Sequence, residues 1–368
     1  MSIRKDKFSK KDIKYMRLAL NLAEARHGLT GKNPSVGCVI VKNDEIISIG
    51  QTGYNGRPHA ENNAIKNSNK NLEGSKMYIT LEPCNHYGIT PPCTNLIIKN
   101  KIGEVFYSIN DIDKKVKGKS FKILKSKNII VKKNLLKKDI DNFYAPYFFN
   151  RKNNIPYVTI KVAVSKNNLI YSKGTMRITD KHSDKLTHFL RYKNDSIMIS
   201  YKTLNIDNPK LNCRLKGLNK FSPKRIILDN KLEMETSSYI FKTANKENTI
   251  IFYNNADKAK ISLFKKKGIQ LIKSNLINNR YFDFKLILKK LYKLSCRNLL
   301  IESGNDLFKT IIKNKLFNEF YLFKSQKNLS KLVSYKDFTS FKYLSKNYKS
   351  KSKINTVLGK DTITIYKR

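Results

Sequence analysis

The chain lacks any apolar run approaching the roughly 18 residues needed to cross a bilayer, so no membrane partner is expected. Its first stretch, Met1 to Lys11, is charged throughout and has none of the apolar centre of a secretory signal. Cysteine is scarce: five residues, an odd number, are scattered over 368. Without a secretion signal that count excludes a disulfide framework and points to the reducing cytoplasm, where thiolates stay available to metal. No internal repeat occurs along the chain. Acidic residues are few as well, 28 against 74 lysines and arginines, for a formal net charge of +46.

What is present fits a globular protein. A hydrophobic fraction of 40% over 368 residues suffices for two domains, each with its own core. The positive charge invites a nucleic-acid reading. Lysine is spread along the whole chain beside abundant asparagine, isoleucine, tyrosine and phenylalanine, which favours a general compositional drift over a local binding stripe. In either case it attracts phosphorylated small molecules.

Strand and helix patterns alternate. Lys11 to His27 is an amphipathic helix with Ile13, Met16, Leu20 and Ala23 on one face. Val36–Val41 and Ile46–Ile49 form a strand pair turned through Lys42-Asn43-Asp44-Glu45. A helix opens near His59 and runs to about Asn67; Lys76–Leu81 is a strand, and Thr94–Asn100 a helix behind Pro91-Pro92. Strands at 103–108 and 128–132 complete a first α/β domain. Arg151-Lys152-Asn153-Asn154, closed by Pro156, has the composition of a linker. A second alternation follows, with strands at 157–164, 196–200, 224–228, 248–253, 297–302 and 362–366, and a helix at 180–193.

The strongest chemical signal is His59-Ala60-Glu61, then Pro83-Cys84, then Cys93. Zinc binds imidazole nitrogen and thiolate sulfur, and a catalytic site keeps three protein ligands and one open position. His59, Cys84 and Cys93 supply the three. A structural zinc site would need a fourth, and His86 alone has a claim; it is assigned instead as a substrate contact. Zinc brings a bound water toward ionisation near neutral pH. Glu61, two residues after the first ligand, is placed to carry a proton to leaving ammonia without touching metal, and it opens a helix whose dipole favours negative charge. Cys38, in an apolar strand, and His27, at a helix end, are ordinary structural residues.

Nucleic-acid deaminases of this chemistry carry two residues between the paired cysteines. Here eight intervene, Asn85-His86-Tyr87-Gly88-Ile89-Thr90-Pro91-Pro92. The segment Thr80 to Cys93 resembles the signature of the bifunctional riboflavin-biosynthesis deaminase/reductase family. Asn33-Pro34-Ser35-Val36-Gly37-Cys38-Val39-Ile40-Val41 and Pro58-His59-Ala60-Glu61 resemble two more of its motifs. The resemblance spans almost the whole chain, densely in the first half and thinly in the second. It implies a cytidine-deaminase-like three-layer domain over residues 1–147, binding zinc, and a dihydrofolate-reductase-like α/β domain over 148–368, using NADPH. It also implies two reactions: hydrolysis of the 2-amino group of a phosphoribosylamino diaminopyrimidinone, then reduction of the ribosyl group to ribityl. Asn33 corresponds to a pyrimidine contact, and His86 lies in the substrate loop. Three departures stand out: Thr52 and Asn63 replace histidines, and Ile89 replaces a basic residue after Gly88 that would meet the substrate phosphate.

In the second half the residues by themselves indicate only an α/β domain, with Ile301-Glu302-Ser303-Gly304 leading a strand through glycine into a helix. The resemblance assigns Lys161, Ala163, Arg177, Thr203, Asp207, Gly304, Asn305, Asp306, Leu307, Phe308, Lys309 and Thr310 to the cofactor. It gives Thr175, Arg191, Leu211, Arg214 and Glu302 to the substrate. Ser165-Lys166-Asn167-Asn168 replaces the family's Ser-Leu-Asp-Gly turn, and Arg177 stands in place of tryptophan. Two alternatives stay open: a deaminase joined to an inactive reductase-like domain, and a basic RNA-binding protein or tRNA-base deaminase. The eight-residue interval and the lack of basic patches interleaved with aromatics speak against the second, so no specific nucleic acid is expected. A cytoplasmic homo-oligomer acting on a phosphorylated pyrimidine is the expectation.

Overall fold

A computed structural model describes residues 8–171, 178–330, 335–354 and 359–368, so Thr175 and Arg177 lie outside the described residues. The chain splits into two compact units, Met1–Lys152 and Asn153–Arg368.

In the first unit, α1 (Lys10–Arg26) opens on a reciprocal cap: Ser9 Oγ accepts from Asp12 N, and Asp12 Oδ2 accepts from Ser9 N. Tyr78 donates its hydroxyl to Asp12 Oδ1 at 2.6 Å, tying that cap to the sheet. β1 (Gly37–Lys42) and β2 (Glu45–Gln51) form an antiparallel hairpin. Its Asn43 and Asp44 take φ of 51° and 64°, the left-handed pair that a two-residue primed turn requires. Then come α2 (Ala60–Lys66), β3 (Lys76–Leu81), α3 (Cys93–Lys99), β4 (Glu104–Ile109), α4 (Lys119–Lys125) and β5 (Ile130–Lys133). The five strands lie in the order β2-β1-β3-β4-β5, with β3, β4 and β5 parallel.

Two glycines reveal the layering. A Cβ on Gly37 would lie 1.8 Å from Ala19 O of α1, and one on Gly50 would lie 2.2 Å from Ala60 O of α2. Gly50 pairs with Cys38, the neighbour of Gly37, and neighbours on a strand point to opposite faces. Hence α1 and α2 cover opposite faces, which makes the unit three layers deep.

The sequence expectation of a linker at 151–154 is corrected by the structure. α5 (Lys137–Asn153) runs through Arg151, Lys152 and Asn153, and the first compact unit extends to Lys152. Packing of Ile140, Tyr144 and Phe148 on the core holds this helix down. Tyr144 Oη also donates to Ser35 O at 2.8 Å and lies 2.7 Å from Thr80 Oγ1. The charged stretch is the last turn of an amphipathic helix.

The second unit begins with β6 (Tyr157–Val164), β7 (Leu169–Tyr171), α6 (Lys181–Lys193), β8 (Ser196–Ser200), α7 (Tyr201–Asp207) and β9 (Lys224–Leu228). It continues through α8 (Tyr239–Lys242), β10 (Thr249–Tyr253), α9 (Lys258–Lys266), β11 (Gln270–Lys273), β12 (Leu276–Ile277), β13 (Tyr281–Phe282) and α10 (Phe284–Lys293). β14 (Asn298–Ile301), α11 (Asn305–Lys313), β15 (Glu319–Lys324), β16 (Tyr335–Asp337), α12 (Phe341–Asn347), β17 (Lys351–Ile354) and β18 (Thr362–Lys367) follow. Among the described residues, nine strands make one sheet in the order β11-β10-β9-β8-β14-β6-β15-β18-β17. Pairing is parallel from β11 to β15 and antiparallel from β15 through β18 to β17.

Both faces of this sheet are covered, as its near-continuous apolar strands require. Leu299 and Ile301 pack with Phe284, Ile287, Phe308 and Ile311 of α10 and α11, while Leu300 packs with Phe241 and Phe264 of α8 and α9. The variant turn after β6 is well formed. Asn168 adopts φ 61°, a left-handed conformation that asparagine tolerates better than most side chains, and Leu169 N donates to Ser165 Oγ at 2.9 Å. No helix among the described residues is long and apolar enough to cross a membrane.

Candidate active sites

Three elements bring the metal-binding side chains together. His59 is the N-cap of α2, Cys84 lies just past β3, and Cys93 begins α3. Cys84 Sγ and Cys93 Sγ stand 3.5 and 3.4 Å from His59 Nδ1, and the three ligand atoms lie within 4.8 Å of one another. Zinc bonds of roughly 2.3 Å to sulfur and 2.0 Å to nitrogen, at a tetrahedral angle, separate N from S by about 3.5 Å. The trio therefore fits zinc. No fourth His, Cys, Asp or Glu joins it among the described residues, which matches a catalytic site more than a structural one.

Hydrogen bonds tune this group. The Cys84 thiol is drawn down to about 4, first by Cys93 and then, against burial, by His59. Cys93 rises in return, chiefly through the same bond to Cys84. Glu61, 4% exposed in the first turn of α2, has its carboxyl pushed up by burial and also contacts Cys93.

The ring of residues around the trio explains two departures. Thr52 is buried, and its Oγ1 accepts from Val36 N at 2.9 Å and donates to Pro34 O at 3.3 Å. Asn63 Nδ2 donates to Gln51 O at 2.8 Å. Both replacements tie down backbone beside the site. Asn33 is held by Nδ2 donating to Gly56 O at 3.0 Å, and Gly56 is required twice over, by φ 92° and by a Cβ position 2.6 Å from Asn33 Cβ. His86 Nδ1 is buried without a protein partner, which suits the substrate contact expected of it. Ile89 is 86% exposed.

In the second unit, Arg191 and Glu302 meet in a bidentate pair, Nε to Oε1 at 2.8 Å and Nη2 to Oε2 at 2.9 Å. Burial acts against the Glu302 charge, but Arg191 outweighs it and holds the carboxyl below its ordinary value. Lys161 and Ala163 share a half-buried face of β6; burial lowers the Lys161 amine, whose Nζ lies 5.1 Å from the Phe323 ring. Thr203 and Asp207 lie on α7, a helix capped by Ser200. Leu211 is buried at φ 53°, and Arg214 Nη1 donates to Asn212 Oδ1 at 2.9 Å.

Gly304 caps α11, and a Cβ there would lie 3.4 Å from Thr203 Oγ1. Two cofactor candidates 101 positions apart in sequence are thereby brought into contact. Along α11, Asp306 and Lys309 are exposed, Leu307 packs on the core, and Thr310 Oγ1 donates to Asp306 O. Asn305 Nδ2 donates to Asp337 O. Phe308 is fully buried against Phe320 and Phe338, so only its backbone can face a cofactor.

Residues 9–109 match the family described as the cytidine and deoxycytidylate deaminase zinc-binding region, and residues 156–326 match the RibD C-terminal domain. The riboflavin biosynthesis protein RibD of Aquifex aeolicus is 31% identical over 97% of this chain and 98% of its own length. That of Actinobacillus pleuropneumoniae is 33% identical over 86% of this chain and 84% of its own length. The chain belongs to the RibD family. Solved RibD from Acinetobacter baumannii (form 2) superposes with a TM-score of 0.83 at 25% identity, covering 97% of this chain and 99% of that one. A Thermotoga maritima structure named as a diaminohydroxyphosphoribosylaminopyrimidine deaminase/5-amino-6-(5-phosphoribosylamino)uracil reductase gives 0.81 at 25% identity, over 97% and 98%.

As a RibD protein the chain is a bifunctional deaminase and reductase of riboflavin biosynthesis, with zinc serving the first activity and NADPH the second. Against that family the structure adds two residues the sequence reading missed. Glu82 accepts from Asp111 N, Gly118 N and Ser120 N, and so pins residues 111–120 against the strand end that carries Cys84. A buried acid two positions before a metal ligand is the signal that could have exposed it. Arg57, two positions before His59, reaches across to Thr90.

Proposed function

We propose that the first unit performs the deamination and the second the reduction, on the phosphoribosylamino diaminopyrimidinone and then on the resulting uracil. One observation carries the first assignment: His59, Cys84 and Cys93 at zinc-compatible separations, with buried Glu61 beside them. These three would hold the metal, which when bound supplies the acidity that makes water a nucleophile near neutral pH. Glu61 would take the proton from that water and pass it to the departing ammonia as a carbonyl replaces the ring amine. Asn33 and His86 would orient the pyrimidine.

In the second unit NADPH supplies the hydride. Gly304, Thr203, Asp207, residues 305–310, Lys161 and Ala163 would hold it. Arg191 and Arg214 would face the phosphate of the ribosyl group, with Glu302 a polar anchor and Leu211 a further substrate contact. Thr175 and Arg177 are proposed from the family resemblance alone. A cytoplasmic setting is supported by five free cysteines. Self-association is supported by exposed Ile46 and Ile49 on edge strand β2, and light scattering would test it.

Incubation of the zinc-loaded full chain with the diaminopyrimidinone, followed by mass analysis, tests the whole scheme. Deaminated product is expected without NADPH, and the ribityl product only with it. An unchanged substrate in both cases would refute the assignment.

A further inference from the structure

A cation stands beside the deaminase site with no acid to match it. Arg57 is half-buried and leaves the backbone two residues before His59. Its Nη1 donates to Thr90 Oγ1 at 2.7 Å, which lays the guanidinium along the loop between the two cysteines. Nη2 lies 3.7 Å from the point where a side chain on Gly88 would begin. Among the described residues no carboxylate pairs with Arg57. One neutral hydrogen bond occupies one of five N–H donors on a planar fork, whose preferred partner is a carboxylate or phosphate.

The loop it touches offers no charge of its own. Asn85 to Pro92 contain neither lysine nor arginine, and Ile89 points an apolar side chain to solvent. On the same loop His86 Nδ1 is buried without a partner, a second polar group left for a ligand to complete. A substrate carrying a phosphate on its ribosyl arm needs a cation at some distance from the metal, and Arg57 supplies the charge that the loop lacks.

We propose that Arg57 binds the phosphate of the pyrimidine substrate in the deaminase site and sets its preference for the phosphorylated form. This rests on the deaminase reading of the first unit. A plain structural tie between Arg57 and Thr90 is the competing role, and it predicts no dependence on the phosphate.

The test measures deamination by the zinc-loaded full chain, on the phosphorylated pyrimidine and on its dephosphorylated counterpart. Arg57→Gln keeps a donor for Thr90 but removes the charge. It is expected to raise KM for the phosphorylated substrate about tenfold or more, the scale of a charge-assisted bond, while kcat and zinc content hold. KM for the dephosphorylated substrate should stay unchanged. Adding Ile89→Lys to Arg57→Gln places a cation one residue past Gly88 and should recover most of the loss. Equal losses on both substrates, or a Thr90→Ala variant that reproduces the whole effect, would reduce Arg57 to a loop tie. Wild-type protein inert on both substrates would overturn the deaminase reading itself; an active wild type with an unaffected Arg57→Gln would overturn this proposal alone.

Discussion

Glu61 separates binding from chemistry at the scale of one residue. It lies in the first turn of α2, 4% exposed, and stands outside the group of potential ligands. Glu61→Gln keeps its shape but cannot carry a proton, so deamination should drop by a factor on the order of 10² or more while elemental analysis still finds zinc. Cys84→Ala and Cys93→Ala should lose the metal outright; full retention in both would remove them from the ligand set. The trio was legible in the sequence because zinc chemistry restricts both residue type and spacing. Its neighbours were not. Thr52 and Asn63 bond through their side chains to the backbone of Val36 and Gln51, and Arg57 meets a partner 33 positions away. Arg191 and Glu302 were each assignable to substrate but not to each other, because 111 positions separate a pair that only the sheet brings together.

Elements were legible where one pattern dominated. β3 and β6 are apolar runs bounded by polar residues, and their ends match the sequence reading. α5 was hidden because its last turn is charged and its packing depends on Tyr144 reaching Ser35 and Thr80. At the junction of β14 and α11, Gly304 has φ −92°, which any residue adopts, so its lack of a side chain serves space and not conformation. Gly304→Val should therefore fold yet bind NADPH at least tenfold more weakly by cofactor fluorescence, while Arg214→Ala should weaken substrate binding more than cofactor binding. Asp195 gives a pH prediction at the start of β8. Its Oδ2 accepts from Arg297 N and Asn298 N, joining β8 to β14, and burial pushes its carboxyl up to about 6. The folded state thus holds a proton that the unfolded chain releases near 3.9, so stability falls as pH rises through roughly 4 to 6. Asp195→Asn retains an acceptor and carries no charge. Its thermal midpoint should lose that decline and exceed the wild type at pH 7; a variant with the same pH slope would assign the decline to another group.

Charge is a property of the whole molecule, and here 74 basic residues face 28 acidic ones. Most cations therefore have no acid to meet. Several lie over aromatic rings, as Lys133 does at 4.4 Å from Phe121 and Lys210 at 5.4 Å from Tyr239. Such contacts occur in both units, Lys133 in the first and Lys210 in the second, as a general drift in composition implies. A surface like this binds polyanions by releasing their counterions, without reading sequence. Filter binding to unrelated RNAs should give similar affinities, and those affinities should fall about 10³-fold or more between about 50 and 200 mM salt. Deamination of the small pyrimidine should change much less over the same range, because a single phosphate contact releases few ions. An RNA complex that survives high salt and discriminates between sequences would reverse this assignment and give the charge a function of its own.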